Sequence, residues 1–218
     1  MRIGVLGTGR VGQALAGKLV SLGHDVKMGS RTAGNEKAKS WASGAGAKAS
    51  EGTFADSAGF GELVINATGG HASLAALQIA GADNLRGKVL LDVANAIAPD
   101  SGFPPELFVC NTDSLAEQIQ RAFPDARVVK SLNTVNLSVM VDPGTIPGDH
   151  VLFLSGDDQD AKTQVSGLLG SFGWPAERIL DLGGIASARG PEMYLALWIR
   201  MLPVFGPNIN IELRRRAS

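Results

Sequence analysis

Short, nearly continuous apolar runs alternate with amphipathic stretches along most of the chain. Ile3, Val5 and Leu6 form a run without a polar face, as expected of a parallel strand buried on both sides. A helical stripe follows at once in Val11, Leu15, Leu19 and Leu22, with Gly23 placed to end it. Residues 25–28 read as a second strand and 35–46 as a short helix. Residues 47–49 read as a weak third strand, with Thr53 or Ser57 as candidate caps for the next turn. Residues 62–67 and 88–94 are the next two strands, separated by a helix carrying Leu74, Leu77 and Ile79. Pro99, Pro104 and Pro105 mark a loop. Asp113 or Ser114 then caps a helix bearing Leu115, Ile119, Ala122 and Phe123, which Pro124 stops. Residues 127–132 form a sixth strand, 151–156 a seventh, and a helix with Ala161, Val165, Leu168 and Leu169 leads to a short strand at 179–182. A last helix from about Pro191 is apolar on most sides (Met193, Leu195, Leu197, Trp198, Met201, Leu202), which predicts burial in the core or against a partner subunit.

This alternation predicts an α/β protein: a Rossmann-type doubly wound, mainly parallel sheet with a small C-terminal α/β extension. Residues 1–150 are read as the nucleotide-binding domain and 151–218 as a small unit closing its cleft.

The chemistry is concentrated where strands end. Gly7, Gly9 and Gly12 follow the first strand in the G-x-G-x-x-G spacing of dinucleotide-binding turns, with Thr8, Arg10 and Val11 between them. Gly7 permits the tight turn, Gly9 lets backbone approach a pyrophosphate, and Gly12 lets helix and strand close up. An Asp or Glu about 20 residues further on would favour NAD. Here the second strand runs into Ser30, Arg31 and Thr32, whose hydroxyls and guanidinium suit a 2′-phosphate, so NADP(H) is the expected cofactor. Ala67, Thr68, Gly69, His71, Ala94 and Asn95 lie at later strand ends and are candidates for the nicotinamide half. Asn133, Thr134 and Asn136 would wall whatever faces it; turn-closing hydrogen bonds are the competing use for such side chains.

Composition narrows the partners. A net charge of −1 argues against nucleic acid or an anionic membrane. The basic run Arg214–Arg216 is read as a solvated terminus. The single cysteine, Cys110, excludes an internal disulfide, suits a reducing cytoplasm and is expected to be a small buried apolar residue. Neither a secretory signal nor an apolar run of about 18 residues is visible, so a cytoplasmic protein is expected. No metal site is expected.

Taken together, Gly7–Gly12, residues 22–24 leading to Gly29, Ser30 and Arg31, the stretch 129–134, residues 155–158, and residues 181–184 with Ser187 and Arg189 resemble the NADPH-dependent reductases of coenzyme F420, a deazaflavin hydride carrier. They also resemble the oxidoreductase domain of membrane ferric reductases. The resemblance implies that Thr8, Ser30 and Arg31 hold the 2′-phosphate, that Thr68 and His71 lie near the nicotinamide, and that residues 133–136 lie beside the second ring. Archaeal F420 reductases have an extra residue in the glycine turn and a histidine where Asn133 stands; the Asn133-Thr134 form is closer to the bacterial branch.

The implied reaction is hydride transfer between NADPH and F420, FMN or FAD. It requires the reacting atoms about 3–3.5 Å apart and no strong acid–base pair, so no catalytic side chain is assigned. Two alternatives stand beside it. A carbonyl or imine reductase would need a proton donor beside the nicotinamide, for which Lys130 is the candidate. A non-catalytic NADPH sensor would need only the binding site. A homodimer is a further expectation.

Overall fold

The computed structural model describes residues 1–214. Its elements run in the order β1 (Arg2–Leu6), α1 (Arg10–Ser21), β2 (Asp25–Ser30), α2 (Glu36–Ala45), β3 (Ala49–Thr53), α3 (Phe54–Phe60), β4 (Leu63–Asn66), α4 (Gly70–Ala80), α5 (Ala82–Leu85), β5 (Val89–Asp92), α6 (Leu115–Ala122), β6 (Arg127–Ser131), α7 (Leu137–Val141), β7 (Leu152–Ser155), α8 (Gln159–Phe172), β8 (Ile179–Asp181) and α9 (Arg189–Phe205). The strands form one sheet in the order β3-β2-β1-β4-β5-β6-β7-β8. All neighbours are parallel except β6 and β7, which pair antiparallel through Lys130–Ser155 and Ser131–Leu154. The C-terminal α/β extension therefore continues the same sheet.

Period-two alternation sorts the strand side chains onto two covered faces. Ile3, Val5, Leu63, Ile65, Val89 and Leu91 point to the layer of α1, α2, α7 and α8, where they meet Leu15, Leu19, Val139 and Val165. Leu6, Val64, Leu90 and Val128 point to the opposite layer, against Phe54 of α3, Leu77 of α4, Leu85 of α5 and Ile119 of α6. This is the doubly wound arrangement that the alternating pattern predicts. No helix among the described residues is long and apolar enough to cross a membrane.

Several local expectations shift. The third strand begins at Ala49 rather than Ala47, and Thr53 takes the cap of α3 through a capping box with Asp56. Ser114 caps α6, while Asp113 instead receives two hydrogen bonds from Arg121. Those bonds outweigh the opposing effect of partial burial and hold the Asp113 carboxyl at a pKa of about 2.

One expectation fails, and another is met in part. Cys110 is exposed, because it lies on the long surface excursion between β5 and α6, where Phe103 and Phe108 are exposed too. The last helix is not buried all round: α9 packs Pro191, Leu195 and Ile199 inward and leaves Leu197 57% and Phe205 67% exposed. An apolar residue does not report burial unless a second surface is there to cover it. Beyond α9, Asn210 clamps the chain back by donating to Val151 O and to His150 Nδ1. Arg214 pairs with Glu212, and Arg215 and Arg216 of the basic run lie outside the described residues.

Candidate functional site

The sheet reverses its winding between β1 and β4, and a cleft opens over the carboxyl ends of the strands there, as expected at a topological switch point. The cleft has two parts. One, of about 940 Å³, is bordered by Gly7, Thr8, Ser30, Arg31, Thr32 and the outer face of α4. The other, of about 530 Å³, is bordered by Arg10, Val11, Val93, Ala94, Asn95 and Ile97. Gly9, Ala67, Thr68, Gly69 and His71 border both parts, so the two lie side by side.

The glycine turn is built by contact. Gly7 has φ +120°, and a Cβ there would lie 2.5 Å from Ala67 O. A Cβ on Gly12 would lie 2.2 Å from Gly7 O, so only glycine lets α1 come this close to the end of β1. Gly9 faces open space, with nothing within 4 Å of the point a Cβ would occupy. Gly9 is also the N-cap of α1 and supplies no side-chain acceptor, and no acidic residue stands in the first turn. The first amides of α1 thus face the cleft with the positive end of the helix dipole behind them. That arrangement fits a pyrophosphate.

At one end, Ser30 is buried and donates to Thr32 O at 2.5 Å, which shapes the turn, while Arg31 and Thr32 are exposed at the rim. Asn35 caps α2 by accepting from the amides of Lys37 and Ala38, and also borders the cleft. Glu51 of β3 accepts from Gly34 N at 3.2 Å, so this carboxylate is engaged in holding the loop. Phe54, Ala72, Ala75, Ala76 and Ile79 complete this wall, and the sequence pattern singles out none of them as a binding residue. Ile79 is 50% exposed. The α4 residues follow the helical i, i+3, i+4, i+7 spacing, which marks a face but not what it faces.

At the other end, Thr68 Oγ1 donates to Asn66 Oδ1 at 2.7 Å, and exposed His71 sits beside Gly69. Asn95 and Asn133 form a reciprocal pair. Asn95 Nδ2 donates to Asn133 O at 3.1 Å, and Asn133 Nδ2 donates to Asn95 Oδ1 at 3.2 Å and to Pro191 O at 3.0 Å. Asn133 and Thr134 are buried, and Asn136 caps α7 by accepting from Ser138 N. None of these three residues borders either part of the cleft.

Lys130 is almost completely buried, between Asp92 at 2.8 Å and Glu192 at 3.0 Å. Burial works against its charge. Attraction to the two carboxylates, and hydrogen bonds to both, outweigh that and raise its pKa above the ordinary lysine value. A sealed ammonium that holds its proton this firmly is not a donor to a substrate in the cleft.

Residues 2–96 match the family described as NADP oxidoreductase, coenzyme F420-dependent. The F420-dependent NADP reductase of Methanothermobacter marburgensis is 31% identical over 229 residues, covering 100% of this chain and 96% of that protein. The chain belongs to the F420-dependent NADP reductase family. A crystal structure from Arthrobacter sp. FB24, described as a candidate member of this family, is 48% identical with a TM-score of 0.91, covering 98% of this chain and 99% of that one. Rat metalloreductase STEAP3 is 31% identical over 205 residues, which is 93% of this chain but only 37% of that protein. The Rossmann-like fold and the family reading made on the sequence are both supported by these relatives.

Proposed function

We propose that this protein is an NADP(H)-dependent oxidoreductase that transfers a hydride between NADPH and a deazaflavin of the F420 type or a flavin. The observation that carries the reading is the two-part cleft, with Arg31 and Ser30 at one end and an uncapped helix start where the parts adjoin. When bound, NADPH supplies a hydride, a proton with two electrons, which the acceptor ring takes together with one proton from solvent. Arg31, with Thr8, would hold the 2′-phosphate, Ser30 shaping the turn that presents Arg31, and the first amides of α1 the pyrophosphate. Thr68, His71, Ala94 and Asn95 would orient the nicotinamide. Asn133 would act through Asn95, and Thr134 and Asn136 through the turn that carries Asn133.

Nothing in this arrangement calls for an acid–base pair, in keeping with ring-to-ring transfer. The carbonyl or imine reductase alternative is disfavoured, since Lys130 is committed to Asp92 and Glu192. The test is titration of the protein with NADPH and NADH, followed by spectrophotometry of NADPH oxidation with F420, FMN and FAD. Tight NADPH binding with turnover of at least one acceptor is expected. Binding without turnover of any of the three would leave the sensor reading in its place.

A further inference from the structure

A heavily engaged polar group lies beneath the nicotinamide end of the cleft and has no part in the transfer just described. Lys130 Nζ has three hydrogens and three acceptors: Asp92 Oδ2 at 2.8 Å, Glu192 Oε1 at 3.0 Å and Ala94 O at 2.5 Å. Each acceptor leads to a different element. Ala94 is itself on the cleft wall. Asp92 Oδ1 accepts from Asn66 Nδ2 at 2.8 Å, and Asn66 Oδ1 accepts from Thr68 Oγ1 at 2.7 Å and Thr68 N at 3.3 Å, so this branch reaches Thr68, which borders the same cavity after the neighbouring strand. Glu192 accepts from the amides of Leu115 and Ala116 at 2.8 and 3.1 Å, which ties the start of α6 to α9.

We propose that Lys130 is a positioning residue for the nicotinamide subsite, one ammonium fixing both Thr68 and Ala94 and anchoring α9 behind them. The proposal rests on the reading that NADPH occupies this cleft. A buried charge cluster of this kind is weak evidence for stability, since apolar side chains of similar volume can replace such clusters without loss. What apolar side chains cannot do is hold a carbonyl and two carboxylates in one fixed geometry. Asn95, next to Ala94 on the cleft wall, is tied to the same helix by Asn133, which donates to the carbonyl of Pro191, the residue before Glu192. The ammonium and the amide thus converge on one turn of α9.

The nucleotide end makes none of these contacts, and this separates positioning from folding. The variants are Lys130→Met and Glu192→Gln, the second keeping an acceptor for the α6 amides if the first fails to fold. Dissociation constants are measured for NADPH and for 2′-phospho-ADP-ribose, which lacks the nicotinamide. Affinity for NADPH is expected to fall about tenfold relative to the fragment, the worth of one hydrogen bond, with fragment affinity unchanged. Loss of folded protein alone would reduce the number of sites and leave this ratio where it was. A ratio within about twofold of wild type, in whichever variant folds, would overturn the proposal. A wild-type protein that binds NADPH no better than the fragment would instead overturn the functional reading itself.

Discussion

At the scale of single residues, the proposed choice of nucleotide rests on Arg31. It is exposed at the rim of the cleft beside buried Ser30, and the loop carries no acid at the position that would hold a ribose hydroxyl. One charge-assisted hydrogen bond contributes about 1.5–3 kcal/mol, so Arg31→Ala is expected to weaken NADPH binding by roughly 10- to 150-fold. NADH binding should barely change, and parallel titrations check it; equal losses for both nucleotides would refute the assignment. Residues of this kind were legible because their chemistry depends on type and on distance from the glycine turn. Asn35, Phe54 and Ile79 were not, since ordinary capping or core packing accounts for each of them equally well in the sequence. Glu51 was invisible for a different reason: parallel pairing of β2 with β3 brings its carboxylate to the Gly34 amide from 17 positions away.

At the scale of elements, the cleft is held open by close backbone approaches. The start of α4 presses on the turn after β5 so tightly that a Cβ on Gly70 would lie 2.0 Å from Asn95 O. Gly70→Ala is therefore expected to push α4 away from Asn95 and to destabilise the protein by about 1–3 kcal/mol, the range for overpacking. Denaturant melts measure the stability loss, and an unchanged midpoint would show that the turn yields freely. Elements were the most legible level here, because strand burial on two faces and helical stripes are properties of the chain itself. The exception is α9. Its apolar residues surround the helix, yet among them only Pro191, Leu195 and Ile199 are fully buried. Hydrophobicity sets what a helix can bury; tertiary placement decides what it does bury.

At the scale of the molecule, the ion pairs set a pH window. Hydrogen bonds from Thr53 hold the Asp56 carboxyl below the usual carboxylate value, those from Arg189 do the same for Glu117, and Arg121 takes Asp113 to about 2. Groups whose folded pKa is depressed add stability above the unfolded value, and that share is lost as the pH falls through the folded one. Lys130 has the opposite sign: its raised pKa gives a contribution fully present below the ordinary lysine value, lost only as the pH rises through a still higher one. The melting temperature should therefore be level between about pH 7 and 8, slip slightly below about pH 6.5, where burial keeps the His24 pKa lowered, and fall more steeply on the acid side, from near pH 4 toward pH 2. Asp113→Asn separates the shared acid limb from the contribution of one group. It removes a carboxylate that receives hydrogen bonds from Arg121 Nη1 and Nη2, at 3.0 and 2.7 Å. Because Arg121 is exposed and screened, the loss at neutral pH is expected to be small. The acid limb of the variant should be shallower, and the two melting curves should converge near pH 2, where Asp113 is becoming protonated in the wild type as well. Melting temperatures recorded at closely spaced pH values decide it. Parallel acid limbs would mean that the Asp113–Arg121 pair contributes nothing to the fold, and that the acid sensitivity lies with the other carboxylates.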